Sequence, residues 1–340
     1  GTGVNGIPQV LDLLGYQDVT VLEEQERPDG NFPTVKSPNP EEAAALEMAI
    51  NRATKINADI VLGTDPDADR IGIAVKNDEG EFVLLNGNQT AAVLVNYMLR
   101  KWHGAGELDG NQFICKTIVT SEILKEIANH YKVKTYDTLT GFKWIAEVIR
   151  KKEGREKFIV GGEESYGYLV DDFVRDKDAV ISAVIICEAA AEAKKAGRSF
   201  YQELLGIYKD IAFYKESLVS VTKKGISGSE EIAAMMDGFR KNPPEAVAGQ
   251  KVVTIRDYQI QEEKELATGK IKGIELPKSN VIQVVLEDGS LFTARPSGTE
   301  PKIKFYISVK GEKLSSFGNF DKENALLENK IEAIKTDLNL

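Results

Sequence analysis

Hydrophobic periodicity divides the chain into three stretches. In the first, residues 1–78, a short apolar stripe over Val10–Leu14 predicts a helix, and the composition of Asp18–Leu22 (DVTVL) predicts a strand. Residues 28–40 are rich in Pro, Asn and Gly and read as a loop. Alanines and leucines at helical spacing predict a helix over Glu41–Asn57, which ends before the strand Ile60–Leu62.

The second stretch, residues 79–213, alternates strands with longer helical patterns. A polar turn leads into the strand Phe82–Leu85 and a helix over Ala91–Leu99. The strand Phe113–Val119, a helix over Ser121–Tyr131 and the strand Val133–Tyr136 follow. A helix over Phe142–Ile149, the strand Phe158–Val160 and an alanine-rich helix over Asp178–Ala196 complete the series. Such alternation predicts βαβ units and mostly parallel sheets.

The third stretch, residues 214–340, changes character. Strand-like segments cluster at Leu218–Thr222, Lys251–Asp257, Val281–Leu286 and Lys302–Val309, and Asp288-Gly289 is a tight-turn dipeptide ahead of a strand beginning near Leu291. The chain closes on an amphipathic helix, Asn324–Leu338, with Leu327, Ile331, Ile334 and Leu338 on one face. The expected fold is therefore α/β, with mixed α/β domains and mostly parallel sheets followed by a C-terminal α+β domain with an antiparallel sheet.

Composition narrows the class. A chain of 340 residues exceeds what one core usually serves, so two or three domains are expected. With 42% hydrophobic and 28% charged residues it has the make-up of a soluble globular protein, and it carries no apolar run of transmembrane length or signal-peptide pattern near Gly1. Cys115 and Cys187 sit in apolar runs and read as buried thiols, which suits a reducing cytoplasm. A net charge of −10 argues against nucleic-acid binding while leaving room for a local phosphate pocket.

Three polar loops hold the chemistry. The first, Gly63–Arg70 (GTDPDADR), sets Asp65, Asp67 and Asp69 at alternate positions between two apolar strands. Three carboxylates so spaced can converge on a hard cation such as Mg²⁺ or Ca²⁺. An EF-hand is excluded, because its sixth position would be Arg70 rather than Gly and its twelfth Lys76 rather than Glu. The alternative is a solvated acidic turn. The second, Gly161–Tyr168 (GGEESYGY), follows the strand FIV, and its Glu163 and Ser165 suit neighbouring sugar hydroxyls. By itself it also fits an exposed turn. The third, Arg295–Lys302 (RPSGTEPK), gathers an arginine fork, two hydroxyls, freed backbone N–H groups at Gly298 and a lysine, which together form a cradle for a dianion. A plain Pro/Gly hairpin loop does not account for those cations in an acidic protein.

In this order the loops resemble the signatures of the α-D-phosphohexomutase superfamily: D-x-D-x-D-R, G-E-x-S and R-x-S-G-T-E-P, spread over about 240 residues. Gly1–Gly15 is similar to the H-G-x-G region that opens that family's second domain, and Thr138–Lys143 (TLTGFK) to its T-x-T-G-[FW]-K segment. In detail the chain resembles the bacterial phosphoglucomutase/phosphomannomutase branch related to phosphopentomutase.

The resemblance implies a magnesium-dependent isomerase of sugar phosphates. Asp65, Asp67 and Asp69 would bind Mg²⁺ and Arg70 would touch the phosphoryl group in flight. Glu163 and Ser165 would bind sugar hydroxyls, Arg295, Ser297, Gly298 and Thr299 the non-transferred phosphate, and Lys143 a further part of the substrate. In such enzymes a phosphoserine gives its phosphoryl group to the sugar, and the resulting bisphosphate reorients and returns the other phosphate. A glucose 1,6-bisphosphate-type activator is implied with it.

Two departures stand out. The family's T-[AS]-S-H-N-P nucleophile loop does not occur here, and neither His103 nor His130 is followed by Asn-Pro. The expectation is a chain that begins inside domain two and is inactive without the serine domain. That domain would then be its partner, alongside a small sugar phosphate, with no nucleic acid and no membrane. Residues 1–78 would be most of domain 2, 79–213 domain 3 and 214–340 domain 4. The second departure is Pro66 and Ala68, where relatives often carry glycine. Hexose phosphates, glucose above mannose, are the expected substrates. A pentose-phosphate mutase, a non-catalytic sugar-phosphate-binding protein and a metal-dependent phosphatase are the alternatives.

Overall fold

The computed structural model describes residues 1–223 and 225–340, which divide into two compact units, Gly1–Ile211 and Ala212–Leu340.

The first unit opens with α1 (Gly3–Leu13), the single turn α2 (Glu23–Glu26) and α3 (Ala43–Ile56). Strands β1 (Ile60–Thr64), β2 (Ile71–Lys76) and β3 (Phe82–Leu85) then form a three-stranded meander in the order β1-β2-β3. Both pairings are antiparallel, with Thr64 opposite Ile71 and Ile73 opposite Leu85. Strand direction here differs from the parallel pairing expected, because short connections allow hairpins where no crossover helix intervenes. Phe82–Leu85, expected to open the second stretch, is the third strand of this first sheet. Leu46 and Ala53 of α3 pack on Val61 and Ala74.

The segment Asp18–Leu22 corrects the sequence reading. It has strand composition but forms no strand, and Val19 is 39% exposed. A β-branched run becomes a strand only against a pairing partner, and among the described residues no strand pairs with it.

A second layer follows: α4 (Gly87–Gly104), β4 (Gln112–Thr117), α5 (Ile123–His130), β5 (Lys134–Thr138), α6 (Phe142–Lys152), β6 (Lys157–Gly162), β7 (Tyr168–Val170), α7 (Ala179–Lys195) and α8 (Phe200–Asp210). The sheet order is β5-β4-β6-β7, parallel except for the β6–β7 pair. Helix α4 starts on a reciprocal cap: Gln89 N–H donates to Asn86 Oδ1 at 2.9 Å and Asn86 N–H to Gln89 Oε1 at 3.0 Å. Its Ala91–Val95 run is buried, as expected of a helix that is apolar all round. On one face of the sheet Phe142, Ile145 and Ile149 of α6 pack on Phe113, Cys115, Phe158 and Leu169. Strand β7 and helix α8 are not apparent from the pattern of the sequence. Both cysteines are buried and free.

The second unit comprises β8 (Phe213–Thr222), α9 (Gly225–Lys241), β9 (Ala246–Val247), β10 (Gln250–Asp257), β11 (Glu262–Glu265), β12 (Ile271–Gly273), β13 (Ile282–Leu286), β14 (Leu291–Pro296), β15 (Lys302–Gly311) and α10 (Phe320–Asp337). The sheet runs β12-β11-β10-β13-β14-β15-β8, entirely antiparallel, with β9 beside β10. Asp288-Gly289 turns β13 into β14 with Gly289 at φ +86°, and Ser290 N–H donates to Asp288 Oδ1 at 2.9 Å. Leu327, Ile331 and Ile334 of α10 are buried. Helix α9 and the short strands β9, β11 and β12 are additions to the sequence reading. Among the described residues no helix is long and apolar enough to cross a membrane.

Candidate functional site

The acidic loop joins β1 to β2, so its geometry follows from closing a hairpin over residues 65–70. Asp65 is 1% exposed and organises the turn. Its Oδ1 accepts N–H bonds from Asp69 and Arg70, both at 3.1 Å, and its Oδ2 accepts from Arg70 Nε at 2.8 Å. Burial pushes the Asp65 carboxyl up, but the Arg70 side-chain and backbone donors outweigh it and hold the group below its ordinary range. The turn requires a left-handed residue, and Ala68 takes that place at φ +58°, a conformation glycine adopts more easily. Two contacts hold it there. The Ala68 carbonyl accepts from Ala179 N–H at 3.1 Å, and the Pro66 carbonyl from Thr2 N–H at 2.8 Å. The departure from glycine is thus absorbed by neighbouring helix starts.

Asp65, Asp67 and Asp69 each present a carboxylate oxygen, all within 4.8 Å of one another. Three oxygen donors of this hardness and spacing fit Mg²⁺ or Ca²⁺ rather than a soft metal. Arg70 stands at the edge of the triad, its Nη1 3.3 Å from Glu41 Oε1 and its Nε 3.7 Å from Asp69 Oδ1.

The second loop joins β6 to β7 and is stitched to the first by main chain. Arg70 and Gly167 form an antiparallel bridge, and Ile71 N–H donates to the Tyr166 carbonyl at 3.0 Å. Tyr166 is left-handed at φ +69°. Glu163 N–H closes the loop on the Gly167 carbonyl at 2.8 Å. The Glu163 carboxylate is buried, which pushes it above the usual carboxylate range, and its Oε1 accepts from Gly141 N–H at 2.8 Å. Gly141 sits at φ +109° just before α6, so the TLTGFK segment meets the second loop at that bond. Lys143, one turn-start further on, is exposed beside the Trp144 ring, 5.1 Å from its centroid. Ser165 lies half-buried in the loop.

One residue that the sequence reading did not single out stands at the meeting of these segments. Lys177 Nζ lies 2.8 Å from Asp69 Oδ2 and 5.5 Å above the Phe142 ring, and its stem fills the space over Gly167. The only trace in the sequence is a lysine flanked by aspartates, Asp176-Lys177-Asp178, immediately before the α7 cap, which resembles any solvated turn.

The third loop lies in the second unit, between β14 and β15. Arg295 is half-buried opposite Lys304 in the ladder, while Ser297, Gly298 and Thr299 are exposed at the tip. Thr299 and Glu300 N–H groups both donate to Ser297 Oγ at 3.3 Å, and Ser297 N–H donates to the Lys302 carbonyl at 2.7 Å. Those three amides are engaged within the turn, so the groups it offers an anion are the flanking Arg295 and Lys302 cations.

Residues 1–80 match the family described as phosphoglucomutase/phosphomannomutase, alpha/beta/alpha domain II, and residues 86–208 match domain III of the same family. A phosphoglucomutase of Staphylococcus aureus strain MRSA252 is 40% identical over 310 residues, covering 91% of this chain and 55% of the relative. The phosphoglucomutase of strain USA300 is 41% identical over the same length. The chain therefore spans about half the length of the curated relatives it matches. Among solved structures, a phosphoglucomutase/phosphomannomutase family protein from Burkholderia thailandensis superposes with a TM-score of 0.60 at 17% identity, over 98% of this chain and 59% of that one. The open form of Paramecium parafusin, a phosphoglucomutase, gives 0.59 at 17% identity, over 88% and 50%. These two likenesses concern the fold. The family matches, with the 40% identical relatives beside them, establish that the chain belongs to the phosphoglucomutase/phosphomannomutase family of the α-D-phosphohexomutase superfamily.

Proposed function

We propose that this chain carries the cation-, sugar- and phosphate-recognition parts of a hexose-phosphate mutase, which interconverts glucose 1-phosphate and glucose 6-phosphate and takes mannose phosphates as second substrates. The observation that supports this most is the convergence of the Asp65–Asp67–Asp69 triad, Arg70 and Lys177 beside the Glu163 loop. Residues 1–78, 79–213 and 214–340 are read as the metal, sugar and phosphate parts in turn.

Asp65, Asp67 and Asp69 would hold Mg²⁺, whose charge offsets that of a phosphoryl group in transfer. Arg70 and Lys177 add two cations for the same group. Glu163, with Oε1 held by Gly141 N–H, keeps Oε2 for a sugar hydroxyl, and Ser165 and Lys143 contact the sugar from the same loops. Arg295, Ser297, Gly298 and Thr299 bind the phosphate that is not being transferred, which fixes the reacting hydroxyl. The phosphoryl donor is a phosphoserine, primed by a glucose 1,6-bisphosphate-type activator, and these 340 residues contain no T-[AS]-S-H-N-P segment to supply it. The cytoplasm, with its reduced thiols, is the proposed setting.

The test is a calorimetric titration of the chain with glucose 1-phosphate in Mg²⁺, repeated for Arg295→Ala and Asp67→Asn. Saturable binding that Arg295→Ala abolishes is expected, with steady release of inorganic phosphate absent. Binding indifferent to both substitutions, or steady phosphate release, would overturn the reading in favour of a different ligand or a phosphatase.

A further inference from the structure

Between the two residues assigned to the sugar, Glu163 and Ser165, stands a third polar residue that points elsewhere. Glu164 Oε2 accepts hydrogen bonds from Thr117 Oγ1 at 3.2 Å and Thr120 Oγ1 at 3.1 Å. Both hydroxyls are buried, Thr117 at 0% and Thr120 at 3% exposure, so the carboxylate reaches into the protein interior at the end of β4. A carboxylate in such a place needs donors that are themselves fixed.

The donors are fixed twice over. Thr117 Oγ1 accepts N–H bonds from Val119 at 3.3 Å and Thr120 at 3.2 Å and lies 2.9 Å from Thr120 Oγ1, so the two hydroxyls and Glu164 Oε2 form one closed network. Beneath them Lys116, 0% exposed, donates to the Thr117 carbonyl at 3.3 Å and the Thr120 carbonyl at 3.2 Å. Its charge is balanced by Glu122 Oε1 at 2.6 Å and Asp137 Oδ1 at 3.0 Å. On the other side the Glu164 carbonyl presses on α4, where a Cβ added to Gly87 would lie 1.9 Å from it. Tyr168 Oη in turn donates to the Gly87 carbonyl at 2.9 Å.

We infer that Glu164 is a positioning residue, which anchors the loop from below through Thr117 and Thr120 and thereby sets Glu163 and Ser165 for discrimination among sugar epimers. The inference rests on the reading that this loop binds sugar. Residues 164–166 are the turn between β6 and β7, closed by Glu163 N–H on the Gly167 carbonyl, so tying Glu164 down fixes the short backbone that carries both neighbours. Releasing it costs sugar selectivity rather than phosphate binding at the Arg295 loop, which shares no residue with this network.

The experiment compares the unmodified chain with Glu164→Ala, Glu164→Gln and Thr120→Val. Each is titrated with glucose 1-phosphate, mannose 1-phosphate and inorganic phosphate, and amide exchange is followed at Glu163 and Ile71, whose N–H groups close and stitch the loop. Glu164→Ala is expected to raise exchange at both amides at least tenfold, weaken glucose 1-phosphate at least tenfold and bring the glucose-to-mannose ratio toward one. Inorganic phosphate should stay within twofold. Glu164→Gln keeps an acceptor oxygen and should stay within threefold of the unmodified chain, and Thr120→Val should fall between. Should Glu164→Ala fail to fold, Thr120→Val carries the test. Unchanged exchange, or an unchanged glucose-to-mannose ratio with binding retained, overturns the role of Glu164 alone. An unmodified chain that binds inorganic phosphate but neither sugar phosphate more tightly overturns the sugar reading itself, and the inference with it.

Discussion

Lys177 and Asp69 form an ion pair at 2.8 Å, Nζ to Oδ2, across two segments separated by more than a hundred residues. The pair decides how much positive charge the acidic triad already carries. Burial pushes the Asp69 carboxyl up, with Asp65 adding to the effect and Lys177 opposing it. Burial alone would lower Lys177, but Asp69 and Asp176 outweigh it and raise the ammonium.

In the proposed cation site Lys177 would compete with a divalent cation for Asp69. Lys177→Gln is expected to tighten Mg²⁺ binding by about threefold to tenfold, since removing a neighbouring charge of this partial exposure is worth roughly 1 kcal/mol. The same variant should weaken glucose 1-phosphate, and a pair of calorimetric titrations reads both. If Mg²⁺ binding weakens instead, Lys177 orients Asp69 rather than competing for it.

Lys116 is the fully buried cation of the first unit. Burial alone would lower its pKa, but Asp137 and Glu122 outweigh it and raise the ammonium above its ordinary value of 10.5. A raised lysine stabilises the fold fully below the unfolded value and loses that contribution only as pH climbs through the folded one. Its contribution should thus be flat across neutral pH. Lys116→Ala is expected to cost roughly 2–4 kcal/mol through lost carbonyl bonds and an unfilled site, and Lys116→Met less, because Glu122 and Asp137 reach solvent. Thermal melts at pH 6 and pH 9 should give the same difference.

Burial raises the Glu164 carboxyl above its ordinary 4.5, with Glu163 adding to it and the Thr120 and Thr117 hydroxyls opposing. For a carboxyl raised in the folded state, the folded protein binds more protons than the unfolded one, so stability falls as pH rises from the unfolded value through the folded value. Glu164→Gln removes that penalty. Its melting temperature should equal or exceed that of the unmodified chain near pH 7.5, and the gap should close near pH 4. A gap that widens in acid would mean the ionised carboxylate stabilises the fold.

Two glycines of α4 give opposite expectations. A Cβ at Gly87 would lie 1.9 Å from the Glu164 carbonyl and 2.7 Å from its carbon, both backbone atoms with nowhere to move. Gly87→Ala should destabilise by about 2 kcal/mol or more through overpacking and disturb the loop between β6 and β7. Gly104, at the exposed end of the same helix, has no atom within 4 Å of an added Cβ. Gly104→Ala should be neutral or stabilising by up to about 1 kcal/mol. Melting curves of the two variants, with glucose 1-phosphate titrations, check both.

The local elements were legible because they follow from short-range periodicity. The helix predicted over Asp178–Ala196 appears as α7 with Asp178 as its cap, its Oδ1 accepting from Val180 and Ile181 N–H at 2.8 and 3.1 Å. The DG turn and the apolar stripe of α10 were equally plain. The failures were of partnership. Asp18–Leu22 reads as a strand and pairs with none among the described residues, and Phe82–Leu85 joins the sheet before it instead of the one after.

The sequence by itself determined which side chains this protein gathers for chemistry: three aspartates at alternate positions, a Glu-Glu-Ser loop after a buried strand, and an Arg-Ser-Thr-Lys turn are readable because side-chain type and spacing are local facts. Only the tertiary structure decided which residues cooperate. It brought Lys177 to Asp69, Gly141 to Glu163, and Thr117 and Thr120 to Glu164. Those contacts depend on strand order and crossovers, which join residues tens of positions apart, and nothing in the spacing of either partner encodes where the other will lie.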